Sequence, residues 1–342
     1  MSLLKNDLLP FSLIALAAAN IFFWAPEKGS SEDPLITLLT HTSNSVQISM
    51  LLALLAGLFL IMKRIKDIGD MAKSDKEFQI NASFAKAVEQ LGTYKLEVQL
   101  GGIFAMEKIA TISPDTHWMV VETLTGYVRE NARWEENNAI GDQADNINGQ
   151  TKNTKHIGIP SDIQSILTIL GRRQWAEEEL LNLRFLNLRK TNLEKLDMRG
   201  AIFERANFRG GNLAKSNLSL TRLAGAFLGE VDLNGANLAK ADLRGANLIK
   251  SNLRNANLKG ADLTGANLFH ADLSGANLTN AKLDDTNLSK VNLQKGSLGN
   301  IDLTSANLTN TQLNYALYNE DTIFPVWITE DLKDELQMQY QV

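Results

Sequence analysis

The chain has 342 residues, a formal net charge of −5 and no cysteine. That length exceeds one ordinary domain, and the absence of cysteine excludes disulfides, thiolate metal sites and cysteine nucleophiles. The four histidines, His41, His117, His156 and His270, are scattered, and no GxxxxGK(S/T), GxSxG or HExxH motif occurs. The sequence therefore predicts no enzyme, no cofactor and no metal site.

Residues 1–66 read as two membrane spans. No charge lies between Asp7 and Glu27, where "LLPFSLIALAAANIFFWA" (8–25) is mostly apolar, nor between Asp33 and Lys63, where "VQISMLLALLAGLFLIM" (46–62) is the most apolar part. Each is close to the roughly 20 residues that cross a bilayer core. A secretory signal peptide competes for the first, but the segment is long and has no small-x-small cleavage site before Pro26. Glu27, Lys28, Glu32 and Asp33 occupy the connecting loop, whereas Lys63, Arg64 and Lys66 follow the second span. Positive residues stay inside, so both termini are expected in the cytoplasm, with Trp24 anchoring at the outer interface. Ile61, Ile65, Ile68 and Ala72 continue as an amphipathic juxtamembrane helix rather than a coiled-coil seam, which needs more heptads.

Residues 67–180 form an expected helical cytoplasmic domain. "KLEVQLGGIFAMEKIA" (95–110) places Leu96, Leu100, Ile103 and Ala110 at helical spacing, and its Gly101–Gly102 pair suits close helix packing. "SPDTHWMVVETLTGYV" (113–128) suggests Ser113 as N-cap and Pro114 in the first turn, with Val120, Val121, Leu124, Tyr127 and Val128 on one face. His117 reads as the polar edge of that helix. Residues 135–160, polar and rich in Asn and Gly, read as a mobile linker. A last helix starts near Ser161, turns Ile163, Ile166, Leu167 and Leu170 inward, and stops around Gly171.

From Leu183 to Leu313 every fifth residue is apolar: of 27 positions, 24 are leucine and the others are Met198, Phe203 and Phe208. A step of five would smear leucine around an α-helix and alternate it across the faces of a strand. The residue two places earlier is small, as at Ala236, Ala241, Ala246, Ser251 and Ala256. A small residue and a leucine two apart share one side of extended chain, and the intervening residues, often glycine, supply a corner. Extended piece and corner, repeated, wind a coil with leucines stacked inside.

"ADLRG" (241–245), "ANLKG" (256–260), "ADLTG" (261–265) and "ADLSG" (271–275) carry a resemblance to the pentapeptide-repeat family, whose motif is A(D/N)LXX. The resemblance spans residues 181–318 and implies a right-handed quadrilateral β-helix with four repeats per coil. About seven coils, roughly 32 Å at strand spacing, would follow. Ile202, Arg222 and Phe227 depart from Asp or Asn, and Val231, Val291 and Ile301 from the small residue, so local widening is expected there. Open coil ends are adhesive edges; the helix at 161–175 is expected to cover the first coil and a C-terminal capping helix within 319–342, with Leu332, Leu336 and Tyr340 on one stripe, the last. Upstream stretches such as "LGGIFAMEKIA" and "HWMVVETLTGYVRE" also resemble a helical region that precedes such repeats in some bacterial proteins. That likeness implies a bacterial protein, which together with the two spans read above makes a two-pass protein of the inner membrane the expectation.

Some members of the family mimic DNA, which requires an acidic surface. Residues 181–318 carry 17 Lys and Arg against 11 Asp and Glu, a net of +6, so that role is not expected. Arg244, Lys250, Arg254 and Lys259 fall one per side of a coil and read as a solvated belt, and stacking platforms for single strands are missing. Nucleic acid is not an expected partner. Residues 20 apart share a column, which sets Ile249 beside Phe269 and aligns Lys250, His270 and Lys290. These five residues form the predicted partner patch. The expected function is a non-enzymatic membrane-anchored scaffold that presents its rod to an unknown protein partner. The alternative is an oligomeric two-span effector or channel regulated by the repeats, although Ser12, Asn20, Gln47 and Ser49 would line a pore poorly. The lipid bilayer is the other expected partner, and a homo-oligomer is admitted.

Overall fold

The computed structural model describes residues 44–134, 159–172 and 181–341, with side chains from residue 55 onward except that of Pro114. The expected first span (8–25) and most of the linker lie outside the described residues, as does all but 55–62 of the second span's side chains. Among the described residues no helix is long and apolar enough to cross a membrane. Two compact units divide at Asn81 and Ala82. In the first, helix α1 (Asn44–Leu91) carries exposed Leu55, Leu58, Phe59, Leu60, Ile61 and Met62, followed by exposed Ile65 and Ile68.

The second unit holds the end of α1, helices α2 (Leu96–Ile112), α3 (His117–Asn131) and α4 (Ser161–Arg172), and the repeat region. Val120, Leu124 and Val128 of α3, Ile103 and Met106 of α2, and Ile163, Ile166, Leu167 and Leu170 of α4 are buried, so the predicted inward faces recur. Leu100 and Tyr127 are only half-buried, and Leu96, which starts α2, is 40 % exposed. Of the glycine pair, Gly102 is the one packed against a neighbour: a Cβ there would lie 2.7 Å from the Ala87 carbonyl, whereas Gly101 faces open space. Ser113 does not cap α3. It ends α2, donating its N–H to Ile109 O, and accepts from the Thr116 N–H at 3.1 Å to start a single 3-10 turn, Pro114–Thr116. Tyr127 donates to Asp162 across the α3–α4 contact at 2.7 Å. Burial, then that bond, raises the pKa of its hydroxyl.

From residue 181 the chain climbs as a coil with rungs 20 residues apart. One side runs Asn182, Ile202, Arg222, Asp242; the next runs Asn187, Asn207, Phe227, Asn247; the remaining two start at Asn192 and Asp197. All these rungs are parallel. Backbone groups donate to the coils on either side, as Leu258 N–H does to Asn277 O at 2.7 Å and Asn257 N–H to Ala236 O at 2.9 Å. The interior is the leucine row and the small row together, with Leu243, Leu248, Leu253 and Leu258 fully buried.

Most corners close by a hydrogen bond from the small residue's N–H to the leucine carbonyl three places earlier, as from Ala241 to Leu238 at 3.0 Å. The second corner residue has positive φ, the signature of a type II turn. Glycine suits that site, yet lysine often holds it. For a side chain the left-handed region costs about 1–2 kcal/mol, and glycine's greater unfolded entropy offsets part of any gain. Lys295, at φ 57, is therefore expected to yield up to about 1 kcal/mol of stability when changed to glycine, read by chemical denaturation; a loss of stability would refute this account of the corner.

The Asp or Asn of each repeat has a structural purpose. Its side-chain oxygen accepts the N–H two residues on, as Asn257 does from Lys259 at 3.2 Å and Asp272 from Ser274 at 3.0 Å. Asparagines also bond up the wall, Asn237 to Asn217 at 3.2 Å and Asn257 to Asn237 at 3.0 Å. Widening is confined to Ile301. Val231 and Val291 are buried with their rungs intact, but beyond Ile301 Asp302 pairs with Ile323, 21 residues on, and the corner at Ser305 lacks positive φ. A branched chain in the small row is tolerated within the stack and displaces the backbone where no full coil follows.

Among the described residues, partners close the first coil on three of its four sides. Ala132 to Trp134, just past α3, pairs antiparallel with Phe185 to Asn187. Gln164 of α4 donates to Asn192 O at 2.7 Å and accepts its N–H at 2.8 Å. Gly171 O accepts from Asp197 N–H at 2.9 Å, in a contact so close that a Cβ on Gly171 would meet Leu196 Cβ at 2.7 Å. At the far end the expected stripe of Leu332, Leu336 and Tyr340 does not form on one helix. Helix α5 (Glu330–Glu335) has only six residues and none buried. Strand β2 (Gln339–Tyr340) instead adds a parallel rung to β1 (Leu317–Tyr318), because a strand satisfies the open edge's N–H and C=O groups and a helix does not.

Candidate docking surface on the repeat coil

The five predicted patch residues fall together at one corner. Ile249 and Phe269 take the first corner position on consecutive coils, and Lys250, His270 and Lys290 take the second on three. Positive φ at 58, 62 and 57° respectively turns these last three outward, and all are exposed. Ile249 and Phe269 are half-buried, lying along the wall rather than standing out from it. Their backbone N–H groups are locked by Asn247 at 3.2 Å and Asn267 at 3.1 Å.

The aromatic ring organises the cluster. His270 meets Phe269 edge-on with centroids 4.5 Å apart, and the Lys290 ammonium sits 5.3 Å from the ring centroid, within cation–π range. Gly229 occupies Ile249's place one coil below, leaving that flank of the apolar pair low. Ser289, one coil above Phe269, is buried with its hydroxyl turned to Asn287 at 2.6 Å. The result is a short apolar strip bordered by the column of Lys250, His270 and Lys290.

Among the described residues the two lysines of that column are uncompensated, unlike other cations of the coil. Arg209 pairs with Glu230 at 3.0 Å, Arg254 with Asp272 at 3.8 Å and Lys282 with Asp262 at 3.9 Å. Arg244 grips Asp242 through two bonds of 2.8 and 2.7 Å. Its hydrogen bonding holds the Asp242 carboxyl below the usual range against the opposing effect of burial. Among the described residues neither Lys250 nor Lys290 has a carboxylate within ion-pair distance. The predicted belt of Arg244, Lys250, Arg254 and Lys259 is thus partly neutralised, and Lys250 keeps its charge at the corner.

Two other surfaces carried weaker sequence signals. Phe227, a departure from the motif, receives Trp134 edge-on at 4.6 Å, so it serves the junction with the helices. The only hint was an aromatic in the Asp/Asn row. Among α2, α3 and α4 a cavity of about 170 Å³ is lined by Glu107, Thr111, His117, Leu124, Leu170 and Arg172, smaller than ordinary ligand pockets. Among the described residues no cluster of His, Asp or Glu is suited to hold a metal ion.

A family model described as pentapeptide repeats matches eight copies within residues 182–219, 216–255, 246–285 and 286–316. No curated protein matches the chain. Among solved structures, a pentapeptide repeat protein from Nostoc PCC 7120 is 30% identical, covering 31% of this chain and 84% of its own, with a TM-score of 0.29. HetL, a pentapeptide repeat protein involved in heterocyst differentiation regulation in Nostoc sp. strain PCC 7120, is 26% identical over 42% of this chain and 83% of its own, with a TM-score of 0.20. QnrB1, a plasmid-mediated fluoroquinolone resistance protein, is 14% identical over 46% of this chain and 89% of its own, with a TM-score of 0.33.

Proposed function

The chain belongs to the pentapeptide-repeat family, and from that premise we propose a non-enzymatic scaffold that docks a partner protein on the corner formed by Ile249, Phe269, Lys250, His270 and Lys290. The observation that carries the reading is the coincidence, at one corner of the wall, of an apolar pair with two lysines that have no carboxylate partner among the described residues. Apolar contact supplies affinity, and the cations orient the partner. Nothing reactive is needed: the rigid stack holds the residues in fixed register, so little conformational freedom is lost on binding.

The N-terminal segment would tether the rod to a membrane. Two long uncharged stretches, and Lys63, Arg64 and Lys66 after the second, support a two-pass anchor with the rod in the cytoplasm. Alkaline carbonate extraction tests it. The full chain is expected to stay with the membrane pellet, and release into the supernatant would overturn the tether.

Docking is tested by Ile249→Ser combined with Phe269→Ser. Both side chains are half-buried on the outer wall, so the thermal unfolding midpoint should hardly move, while recovery of the bound partner should fall at least about tenfold. Unchanged recovery from a normally folded variant would remove this corner as the site.

A further inference from the structure

We propose that the corner at Ile249 and Phe269 is also a self-association surface, and that its occupant is the turn Pro325–Ile328 of a second copy of this chain. The inference rests on reading the corner as a docking surface and names one ligand for it.

The turn is built to be presented. Ile328 N–H donates to Pro325 O at 3.0 Å, closing a tight turn with Val326 and Trp327 as its central pair. Turn centres are ordinarily glycine, asparagine or aspartate, yet here Val326 is 99% exposed and Trp327 54% exposed. Ile328 beneath is buried and anchors the turn, so the two apolar side chains are held out at little entropic cost. Ile323 adds an exposed edge. At 99% exposure Val326 packs against no other part of the described chain and is free to meet another molecule.

Charge together with the apolar pair singles out the corner among the rod's surfaces. Residues 319–342 carry six carboxylates against one lysine, a net of −5. Glu330 is engaged by Lys333 at 2.7 Å. Among the described residues Glu320, Asp321, Asp331, Asp334 and Glu335 have no cation within ion-pair distance, and all are exposed. An apolar tip with carboxylates on both sides thus matches an apolar strip bordered by Lys250, His270 and Lys290. Trp327 against Phe269 and Lys290 would bring aromatic and cation–π contact to one place. Because the two surfaces differ, each copy offers one of each, and both reciprocal pairs and longer chains use the same contact.

The test uses full-length protein in mild detergent, with mass followed by sedimentation over a range of concentration. Wild type should grow from one chain to two or more, and association should weaken between about 0.05 and 0.5 M salt as screening increases. Lys250→Glu with Lys290→Glu reverses the corner; Glu230 occupies the same corner position with positive φ, so folding should be preserved. Asp321→Lys with Asp331→Lys reverses the cap. Each variant alone should associate at least about tenfold more weakly, since like now faces like, and an equimolar mixture should recover wild-type association. A wild type that remains a single chain, variants that associate as wild type does, or a mixture without recovery would each overturn the proposal. Association through the membrane segment alone would give the second of these results. If wild type stays single while Ile249→Ser with Phe269→Ser still releases a partner protein, self-association fails and the docking site stands.

Discussion

Deleting one residue beside Leu258 is expected to abolish cooperative unfolding of the repeat region, whereas excising all twenty residues 241–260 should leave a shorter folded rod. The contrast follows from the spacing of the rungs at 20 residues. After a one-residue deletion the eleven interior positions from Leu263 to Leu313 lose register with the coils below. At about 2 kcal/mol for each buried leucine the gross loss is on the order of 20 kcal/mol, above the roughly 5–15 kcal/mol that stabilises a whole domain. The rod does tolerate one extra residue, between Asp302 and Ile323, but that lies at its end, where no further coil must be matched. Excision of 241–260 joins Lys240 to Ala261, a corner residue to a small-row residue, and keeps every column aligned. Far-UV circular dichroism melts of both deletions decide the matter, and equal damage would count against four repeats per coil.

Phe203→Ala is expected to cost about 3–5 kcal/mol. Phe203 is fully buried and meets Phe208 edge-on with centroids 5.0 Å apart. Met198, Phe203 and Phe208 interrupt the leucine row on three consecutive sides, beneath the caps of Ala132–Trp134 and α4. Larger side chains there fill an interior that the neighbouring leucines cannot reach, and alanine would leave a cavity with rigid walls. Phe203→Leu, which returns the position to the common pattern, should cost less than about 1.5 kcal/mol. Urea unfolding of the two variants provides the comparison. A cost for alanine below about 1 kcal/mol would mean that the first coils relax around the gap.

The repeat itself was legible because each residue's surroundings repeat along with the sequence. Leu243 has a leucine on the coils above and below, so a local pattern already states its tertiary environment. The same regularity placed Ile249, Phe269, Lys250, His270 and Lys290 at one corner before any coordinate was known. What the pattern left out was how the Asp/Asn position works. Its bond to the N–H two residues on is local, but leucine periodicity alone gives no sign of it. The charge left over on Lys250 and Lys290 was hidden as well, since pairing depends on which arginines reach carboxylates such as Asp242 and Glu230.

Helices were read well where one apolar face dominated, as in α4, and less well at their ends. Ser113 had the residue type and the following proline of an N-cap, but the preceding helix runs on to Ile112 and claims its N–H. Leu332, Leu336 and Tyr340 kept helical spacing, yet the open edge of the last coil drew Gln339 and Tyr340 into a strand. Competition from unsatisfied backbone groups decided both cases, a local one for Ser113, whose N–H goes to Ile109 O, and a distant one for Gln339 and Tyr340.

By itself the sequence determined the coil, its register and its buried rows, because every rung within the coil except the last, Asp302 to Ile323, pairs residues a fixed 20 apart. Tertiary structure alone decided the ends: Trp134 on Phe227, Gln164 on Asn192, Gly171 against Leu196, and β2 on β1. Those contacts join segments with no common period, and they form because an edge of unpaired N–H and C=O groups must be satisfied by whichever segment the fold brings to it.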